Sequence, residues 1–274
     1  MPDAHGASPQ EPWAGGVVRA RTLFISDIHL GARRCQAAAL LEFLTACEAD
    51  RIYLVGDIVD GWRLKARWHW PRSHDNIVRC LLAKMQAGTR ILYIPGNHDE
   101  FLRNSIGLRL GGIEVVDHAI HEGADGRRHL VVHGDEFDSV VAHMRRLAAL
   151  GIWVYAAAVL TNDAGLGLWR RLRRAAGLPA RSARAKTAFE RLAVAAAREH
   201  GVQGVICGHV HRPGIREVQG VTYVNTGDWM DSRSAVVEHA DGRLEVLRWP
   251  AASVAPAAVV DFAAAEAWPG LSVG

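Results

Sequence analysis

The fold of this chain is decided by residues 22–31, which run Thr-Leu-Phe-Ile-Ser-Asp-Ile-His-Leu-Gly. Apolar, aromatic and β-branched side chains dominate the stretch, and this composition predicts a buried strand over Thr22–Ile28. Asp27 and His29 lie at its end. Residues two apart in extended backbone face the same side, so these two side chains can ligate one ion together.

The same pattern, a short apolar run followed by a polar turn, recurs along the chain. It appears at Ile52–Val55, Ile91–Ile94, Leu130–Val132 and Val205–Cys207. Helical patterns over Ala37–Glu48 and Ile77–Ala87 separate the first three runs. Alternating strands and helices predict parallel strands with helices packed on the sheet faces. Functional groups collect where such strands end.

The second half of the chain has a different texture. Ile113–Ile120 and His129–Val132, on either side of a turn at Asp125-Gly126, predict a hairpin. Residues 137–200 have a mostly helical pattern, and strand patterns return from Gly204, continuing at Val221–Asn225, Ser234–Glu238 and Leu244–Trp249. We therefore expect a flexible N-terminal segment over 1–20, one domain over 21–250 with a helical insertion at about 138–200, and a C-terminal tail over 251–274.

Composition narrows the class of protein. The formal net charge is +3, which does not call for nucleic acid as a partner. The four cysteines show neither CxxC spacing nor a disulfide framework, so we expect reduced thiols in the cytoplasm. Residues 1–16 lack the apolar core of a signal peptide, and the longest apolar stretch, Leu147–Leu160, is too short to span a bilayer. These features predict a cytoplasmic protein, soluble or peripheral on a membrane, and leave its oligomeric state open.

Further blocks of polar residues at predicted strand ends extend the pattern of Asp27 and His29. They are Gly56-Asp57, Gly96-Asn97-His98-Asp99, His133-Gly134-Asp135 and Gly208-His209-Val210-His211. A lone histidine at a strand end is usually structural, but five such blocks in order are not expected by chance. Mixed carboxylate, imidazole and amide donors suit Mn²⁺, Fe²⁺, Zn²⁺ or Co²⁺ better than Mg²⁺ or Ca²⁺. Two such ions sharing one aspartate can clamp the attacking and leaving oxygens of an in-line displacement at phosphorus.

As a set, these blocks resemble the calcineurin-like metallophosphoesterase superfamily over roughly residues 21–250. The resemblance implies an α/β (α+β) fold, a four-layer αββα sandwich, with two divalent ions at the loop ends and Mn²⁺ favoured. The implied ligands are Asp27, His29, Asp57 and His211 for one ion, and Asp57, Asn97, His133 and His209 for the other. His98 resembles the family's histidine that protonates the leaving oxygen, and Asp99 is expected to orient its imidazole.

The blocks that begin at Ser26, Gly56 and His133 also resemble the UDP-2,3-diacylglucosamine diphosphatase group. Members release UMP and a lipid 1-phosphate, and they carry a helical insertion in the position of residues 137–200. In well-studied members of the group the third block resembles Gly-Asn-Arg-Asp, whereas this chain has His98 in place of the arginine. This difference indicates a sister branch. A soluble nucleotide or phosphomonoester is therefore the alternative substrate. A non-catalytic or membrane-surface adaptor is less favoured, since all seven ligand positions are filled.

Substrate contacts are predicted on either side of the third block. Arg63 and Arg67 lie in a tryptophan-rich segment after Asp57 and are expected to hold non-reacting phosphate oxygens, although a structural loop explains the same segment. Arg103 and Asn104, just past His98, have the same status. Leu147–Leu160, followed by arginines at 170–174, is typical either of a helix at the inner membrane surface or of an ordinary core helix.

Overall fold

The structure is a computed structural model that describes residues 17–137 and 181–250, with side chains described from residue 188 in the second range. Its first part contains β1 (Val18–Ile25), α1 (Ala37–Ala46), β2 (Cys47–Val55), α2 (Gly61–Ala66), α3 (Arg72–Gln86) and β3 (Arg90–Ile94). A 3₁₀ helix (Glu100–Ser105) leads to β4 (Arg109–Leu110), β5 (Ile113–Val115), β6 (Ala119–Glu122) and β7 (Arg128–Val131). The second range holds α4 (Arg181–Glu199), β8 (Gly204–Cys207), β9 (Gly214–Val218), β10 (Val221–Asn225), β11 (Ser234–Glu238) and β12 (Leu244–Arg248).

The strands form two sheets. Sheet 1 has the order β12-β11-β1-β2-β3-β5-β4, and sheet 2 has the order β6-β7-β8-β10-β9. The central strands β1, β2 and β3 of sheet 1 are parallel, as are β7, β8 and β10 of sheet 2. Parallel strands end at one edge of their sheet, so the loops that follow them gather there.

Alternating side chains build a sandwich of four layers. Ile25 and Leu54 belong to the core beneath α1 and α3, whereas Phe24 and Tyr53 face sheet 2 and stack with ring centroids 5.0 Å apart. On the far side of sheet 2, α4 contributes Phe189 and its neighbours to a separate apolar core. The order is therefore helix, sheet, sheet, helix, and the predicted αββα sandwich is confirmed.

Several predicted boundaries were wrong. Ile113–Ile120 is not one strand: exposed residues at 117 and 118 interrupt the apolar run, so β5 joins sheet 1 while β6 pairs with β7 in sheet 2. The helix predicted to reach Glu48 ends at Ala46, where the chain enters β2 directly. Strand β1 begins at Val18, inside the segment expected to be flexible, because Val18 is buried against the first core.

The predicted insertion at about 138–200 is described only at its C-terminal end. There, α4 packs on sheet 2 through Ala193 and Ala197 and forms the outer layer of the sandwich. Residues 138–180, including Leu147–Leu160, lie outside the described residues, as do 1–16 and 251–274. Across the described ranges, every helix is too short or too polar to cross a membrane.

Candidate metal centre

Five of the seven predicted ligands share an uncommon backbone conformation. Positive φ values occur at Asp27 (50°), His29 (55°), Asp57 (53°), His209 (65°) and His211 (51°). The left-handed region costs an L-residue about 1 kcal/mol or more, and Asp, Asn and His enter it most readily after glycine. Such strain clusters at functional sites. The prediction of extended backbone at residues 27–29 was therefore wrong. Strand β1 ends at Ile25, and Asp27 and His29 each have left-handed backbone torsions, which set the directions of their side chains.

Backbone hydrogen bonds join the loops that carry these residues. The Asp27 N–H donates to the Gly56 carbonyl at 3.0 Å, and the His29 N–H donates to the Asp57 carbonyl at 2.9 Å. Between the sheet 2 loops, the Gly208 N–H donates to the His133 carbonyl at 3.1 Å. The strand pairing thus continues beyond the regular sheets and fixes the spacing between neighbouring candidate ligands.

Asp27 is the centre of a first group of candidate ligands. Its Oδ2 accepts hydrogen bonds from the Ser26 hydroxyl and, at 3.0 Å, from the His209 backbone N–H. Its Oδ1 lies 3.0 Å from His211 Nε2 and 4.0 Å from His29 Nε2. Burial raises the pKa of Asp27, but the neighbouring imidazoles outweigh burial and lower it. Asp27 therefore stays ionised, with one oxygen directed at two imidazoles.

Asp57 links the first group to a second. Its Oδ2 lies 3.4 Å from His133 Nε2 and 4.0 Å from His29 Nε2, while its Oδ1 accepts the His98 backbone N–H at 2.8 Å. Atoms of Asp57, His133 and His209 lie close enough to hold one ion. Asp57 thus occupies the position between both groups that a bridging carboxylate requires.

The orientation of His133 suits a metal ligand. Its Nδ1 lies 2.9 Å from the Val55 carbonyl, a contact that places the proton on Nδ1 and directs Nε2 toward Asp57. Burial lowers the pKa of His133, but Asp57 and Asp27 outweigh burial and raise it to about 10. The two buried carboxylates therefore demand positive charge, and a divalent cation would supply it in place of a proton.

Unpaired polar atoms support the same assignment. Buried polar atoms in proteins are nearly always hydrogen-bonded. Within the described ranges, the buried atoms without a hydrogen-bond partner include Asp27 Oδ1, His29 Nδ1 and Nε2, Asn97 Oδ1 and His133 Nε2. These belong to four of the seven predicted ligands. The two oxygens, His133 Nε2 and one of the two His29 nitrogens can each offer a lone pair to a cation, since a neutral imidazole keeps a proton on its other nitrogen. The donor set thus fits two divalent ions.

His98 is held by Asp60, a residue outside the predicted site. Its Nδ1 lies 3.0 Å from Oδ1 of Asp60, which is 1% exposed and also accepts the Arg63 backbone N–H at 3.0 Å. The other Asp60 oxygen lies 3.5 Å from His29 Nδ1. Asp60 therefore orients His98 through a hydrogen bond and lies beside His29 at a longer distance. Only its spacing, three residues after Asp57, marks it in the sequence.

Asp99 does not orient His98, contrary to expectation. Its carboxylate accepts the Tyr93 hydroxyl and the Gly96 N–H at 2.5 Å each, and the Ile58 N–H at 2.8 Å. Asp99 is fully buried beneath these loops, and its donors all come from the ends of β2 and β3. Burial and the nearby Asp57 carboxylate raise the pKa of Asp99, although the Tyr93 hydrogen bond opposes them. Its role is to tie the two loops together.

Two of the four predicted substrate contacts, Arg63 and Arg103, pair with carboxylates in the loops that carry the candidate ligands. Arg63 Nε is 3.2 Å from Asp60 Oδ2, with its side chain 63% exposed. Arg103 is engaged by Asp135 at 2.7 Å, whereas Arg67 and Asn104 are exposed.

Exposed aromatic side chains lie on α2 and on the segments near it. The Trp62 ring lies 4.2 Å from the His98 ring, and Trp68 and Phe101 are also exposed. The tryptophan-rich segment thus begins in a short helix, α2, with Trp62 and Trp68 exposed, whereas Trp70 packs inward against the core beneath the helices, as the alternative expected.

Asn225 is a further buried residue that supports the site. Its Nδ2 donates to the Gly208 carbonyl at 2.6 Å, and its Oδ1 accepts the Arg212 backbone N–H at 3.1 Å. These bonds hold both ends of the loop that carries His209 and His211. A polar residue at the end of the apolar strand β10 was the available indication in the sequence.

The fold and the site together define a metal-dependent phosphoester hydrolase. The calcineurin-like phosphoesterase family model matches residues 20–213, and the chain belongs to this family. The chain is 30% identical to a UDP-2,3-diacylglucosamine hydrolase of Aeromonas salmonicida over 86% of this chain and 97% of that protein. A UDP-2,3-diacylglucosamine hydrolase of Escherichia coli O6:H1 is 29% identical over 84% and 99%, respectively. A solved archaeal phosphodiesterase is 13% identical, covers 83% of this chain and 98% of its own, and has a TM-score of 0.42.

Proposed function

We propose that this chain hydrolyses the pyrophosphate bond of UDP-2,3-diacylglucosamine or a close lipid-linked nucleotide diphosphate, releasing UMP and a lipid 1-phosphate. The observation that carries the hydrolytic chemistry is the meeting of two ligand groups at Asp57 beside an oriented His98. The substrate is supported by relatives of that name, which align over nearly their whole length.

The proposed ligands divide into two sets that share Asp57. Asp27, His29, Asp57 and His211 would hold one ion, and Asp57, Asn97, His133 and His209 would hold the other. When bound, the two cations supply Lewis acidity to the attacking water and to the phosphoryl oxygens. Mn²⁺ is favoured by the mixed donors, with Fe²⁺, Zn²⁺ and Co²⁺ as alternatives.

His98 is the proposed general acid. Because its Nδ1 hydrogen-bonds to Asp60, its Nε2 is the nitrogen left to protonate the leaving phosphate oxygen. Arg63, with its exposed guanidinium beside Asp60, is proposed to hold a non-reacting phosphate oxygen, and Arg67, Arg103 and Asn104 to line the rest of the approach.

The acyl chains are proposed to lie against exposed aromatic side chains of α2, of the segment that follows it and of the 3₁₀ helix, of which Trp62 contacts His98. Trp68 is 74% exposed, Trp62 47% and Phe101 44%. Aromatic surface of this kind suits a lipid at the membrane boundary. We therefore place the enzyme in the cytoplasm, with peripheral contact at the inner membrane.

The test is to incubate the Mn²⁺-loaded protein with UDP-2,3-diacylglucosamine and measure UMP release. Trp68→Ala should lower kcat/KM for the lipid substrate and spare a soluble phosphodiester. Val17→Ala, which also truncates an exposed apolar side chain but at the opposite end of β1, is the control. Turnover of soluble esters without any UMP release would refute the lipid substrate.

A phosphatase or phosphodiesterase acting on a soluble nucleotide or phosphomonoester is the second candidate. His98 favours this second candidate, because the well-studied enzymes of the lipid group that the chain resembles have an arginine at that position. A non-catalytic adaptor predicts less than one bound metal ion per chain by elemental analysis, and this measurement separates it from both enzymes.

A further inference from the structure

A polar cleft lies at the opposite end of sheet 1 from the metal centre. It has a volume of about 590 Å³, and Arg21, Arg51 and Arg90 line it. A smaller cavity of about 180 Å³ shares the same three arginines. Arg21 precedes Asp27 by six residues on β1, and strands rise about 3.3 Å per residue, so the cleft is about 20 Å from the metal centre.

An irregularity in β1 brings Arg21 into this cleft. Ala20 and Leu23 contact the same core beneath the helices, although residues three apart on a regular strand face opposite sides. The β1–β2 pairing omits Arg21 and Asp50 at this point. The alternation of β1 side chains between the two faces of sheet 1 therefore shifts by one residue at this point. As a result, Arg21 and Thr22 both face the gap between the sheets.

Arg51 and Arg90 lie side by side. They are register partners on β2 and β3, on the face that Tyr53 and Leu92 direct toward sheet 2. Like charges at paired positions are destabilising. Arg90 is paired with Glu114 at 2.8 Å, whereas within the described ranges no carboxylate lies within 4.0 Å of the Arg51 guanidinium. An anion between the two arginines would remove this repulsion.

Arg21 is already held in place. Its Nη1 donates to Glu238 Oε1 at 2.6 Å and to the Glu122 carbonyl at 3.0 Å. A guanidinium has five N–H donors, so Arg21 keeps others for a ligand. Burial raises the pKa of the Tyr53 hydroxyl despite the nearby Arg51 guanidinium, so this hydroxyl remains a neutral donor. The cleft thus combines two ordered guanidinium groups, those of Arg21 and Arg90, with apolar residues, and Glu122 also contributes to its lining.

We propose that this cleft binds the phosphate group of a small, nucleotide-sized molecule, with Arg51 and Arg90 as its principal ligands. Guanidinium forks match phosphate oxygens, and the smaller cavity shared by the arginines accommodates that group. The larger volume is that of a small-molecule site, and Leu92 and Ile120 in its wall suit an organic portion. The cleft is separate from the metal centre and does not depend on the proposed hydrolysis.

The test is calorimetric titration of the full-length, chelator-treated protein, so that no metal competes for the ligand. The titrants are inorganic phosphate, UMP and uridine. We expect saturable 1:1 binding of phosphate and UMP but not of uridine. Arg51→Gln should weaken this binding at least tenfold, whereas Arg79→Gln, an exposed arginine on α3, should leave it unchanged.

Arg90→Gln serves as a second variant, and circular dichroism establishes that both variants fold. Tighter binding of UMP than of phosphate would identify an organic phosphate as the ligand, and equal binding would identify inorganic phosphate. Absence of binding to the wild type, or equal affinity in wild type, Arg51→Gln and Arg90→Gln, would overturn the proposal. Hydrolysis is assayed separately with metal restored, so a failure of the proposed function is distinguishable.

Discussion

Gly96→Ala should disable the metal centre through a single added methyl group. Gly96 does not have positive φ, so alanine is compatible with its backbone. The added Cβ would nevertheless lie 2.7 Å from His133 Nε2 and overlap Asp57 Oδ1, whereas ordinary contact begins at about 3.4 Å. The two ligands must therefore move apart from Gly96 by at least about 0.7 Å.

This displacement is large for a catalytic site. A misplacement of about 1 Å costs on the order of 100-fold in turnover, so we expect a loss of this size. Neither neighbour can swing aside, since Asp57 is 2% and His133 1% exposed. Overpacking at a buried position also destabilises a fold, here by about 1–3 kcal/mol.

The assay combines metal content, turnover of a soluble phosphodiester and the free energy of unfolding. Gly214→Ala is the matched control, because its added Cβ would have no neighbour within 4 Å and its φ is not positive. The control should keep both ions and full turnover. If Gly96→Ala also bound two ions and turned over normally, the proposed ligand positions would be refuted.

Four further predictions concern residues with ionisable side chains. Asp57→Ala should lose both ions together, because Asp57 faces both ligand groups; elemental analysis showing one fully retained ion would contradict the bridging assignment. His98→Ala should keep both ions and lose about 10²–10⁴-fold in turnover; loss of metal from this variant would instead make His98 a ligand. Asp60→Asn should lose about 10–100-fold in turnover, because the His98 imidazole would no longer be held in its orientation. The hydrogen bonds of buried Glu238, with that from His121 the largest, outweigh the effect of burial and lower the pKa of Glu238 from 4.5 to about 2. The free energy of unfolding should therefore fall by about 3 kcal/mol as the pH decreases from 4.5 to 2, because the unfolded state takes up the proton first. Urea unfolding across that range measures this loss, and Glu238→Gln should flatten it.

Sequence patterns predicted best what depends on neighbours along the chain. The buried strands around Phe24, Tyr53 and Ile206 are continuous apolar runs, and their polar ends mark the candidate ligands directly. Strand β9 was not predicted, because Gly214–Val218 is an edge strand with half-exposed residues and therefore has a weak apolar pattern. The break between β5 and β6 escaped notice because the choice of sheet depends on distant partners.

The partner of His98 illustrates the same limit within the site. Asp99 is adjacent in sequence, yet its carboxylate is used up by donors from the ends of β2 and β3. Asp60 reaches His98 because the start of α2 packs against that loop, with the Gly61 N–H donating to the His98 carbonyl at 3.0 Å. Adjacency along the chain says little about which carboxylate faces an imidazole after folding.

The left-handed backbone at the candidate ligands bears on how this protein responds to selection. Glycine at His209 or His211 would relieve local strain, so screening for thermostability alone should enrich such replacements, and these would remove a proposed ligand. Stability and activity are therefore opposed at these positions. Laboratory evolution of a heat-resistant form would need to select for turnover at the same time. Otherwise it would yield a more stable protein with the same fold and no activity.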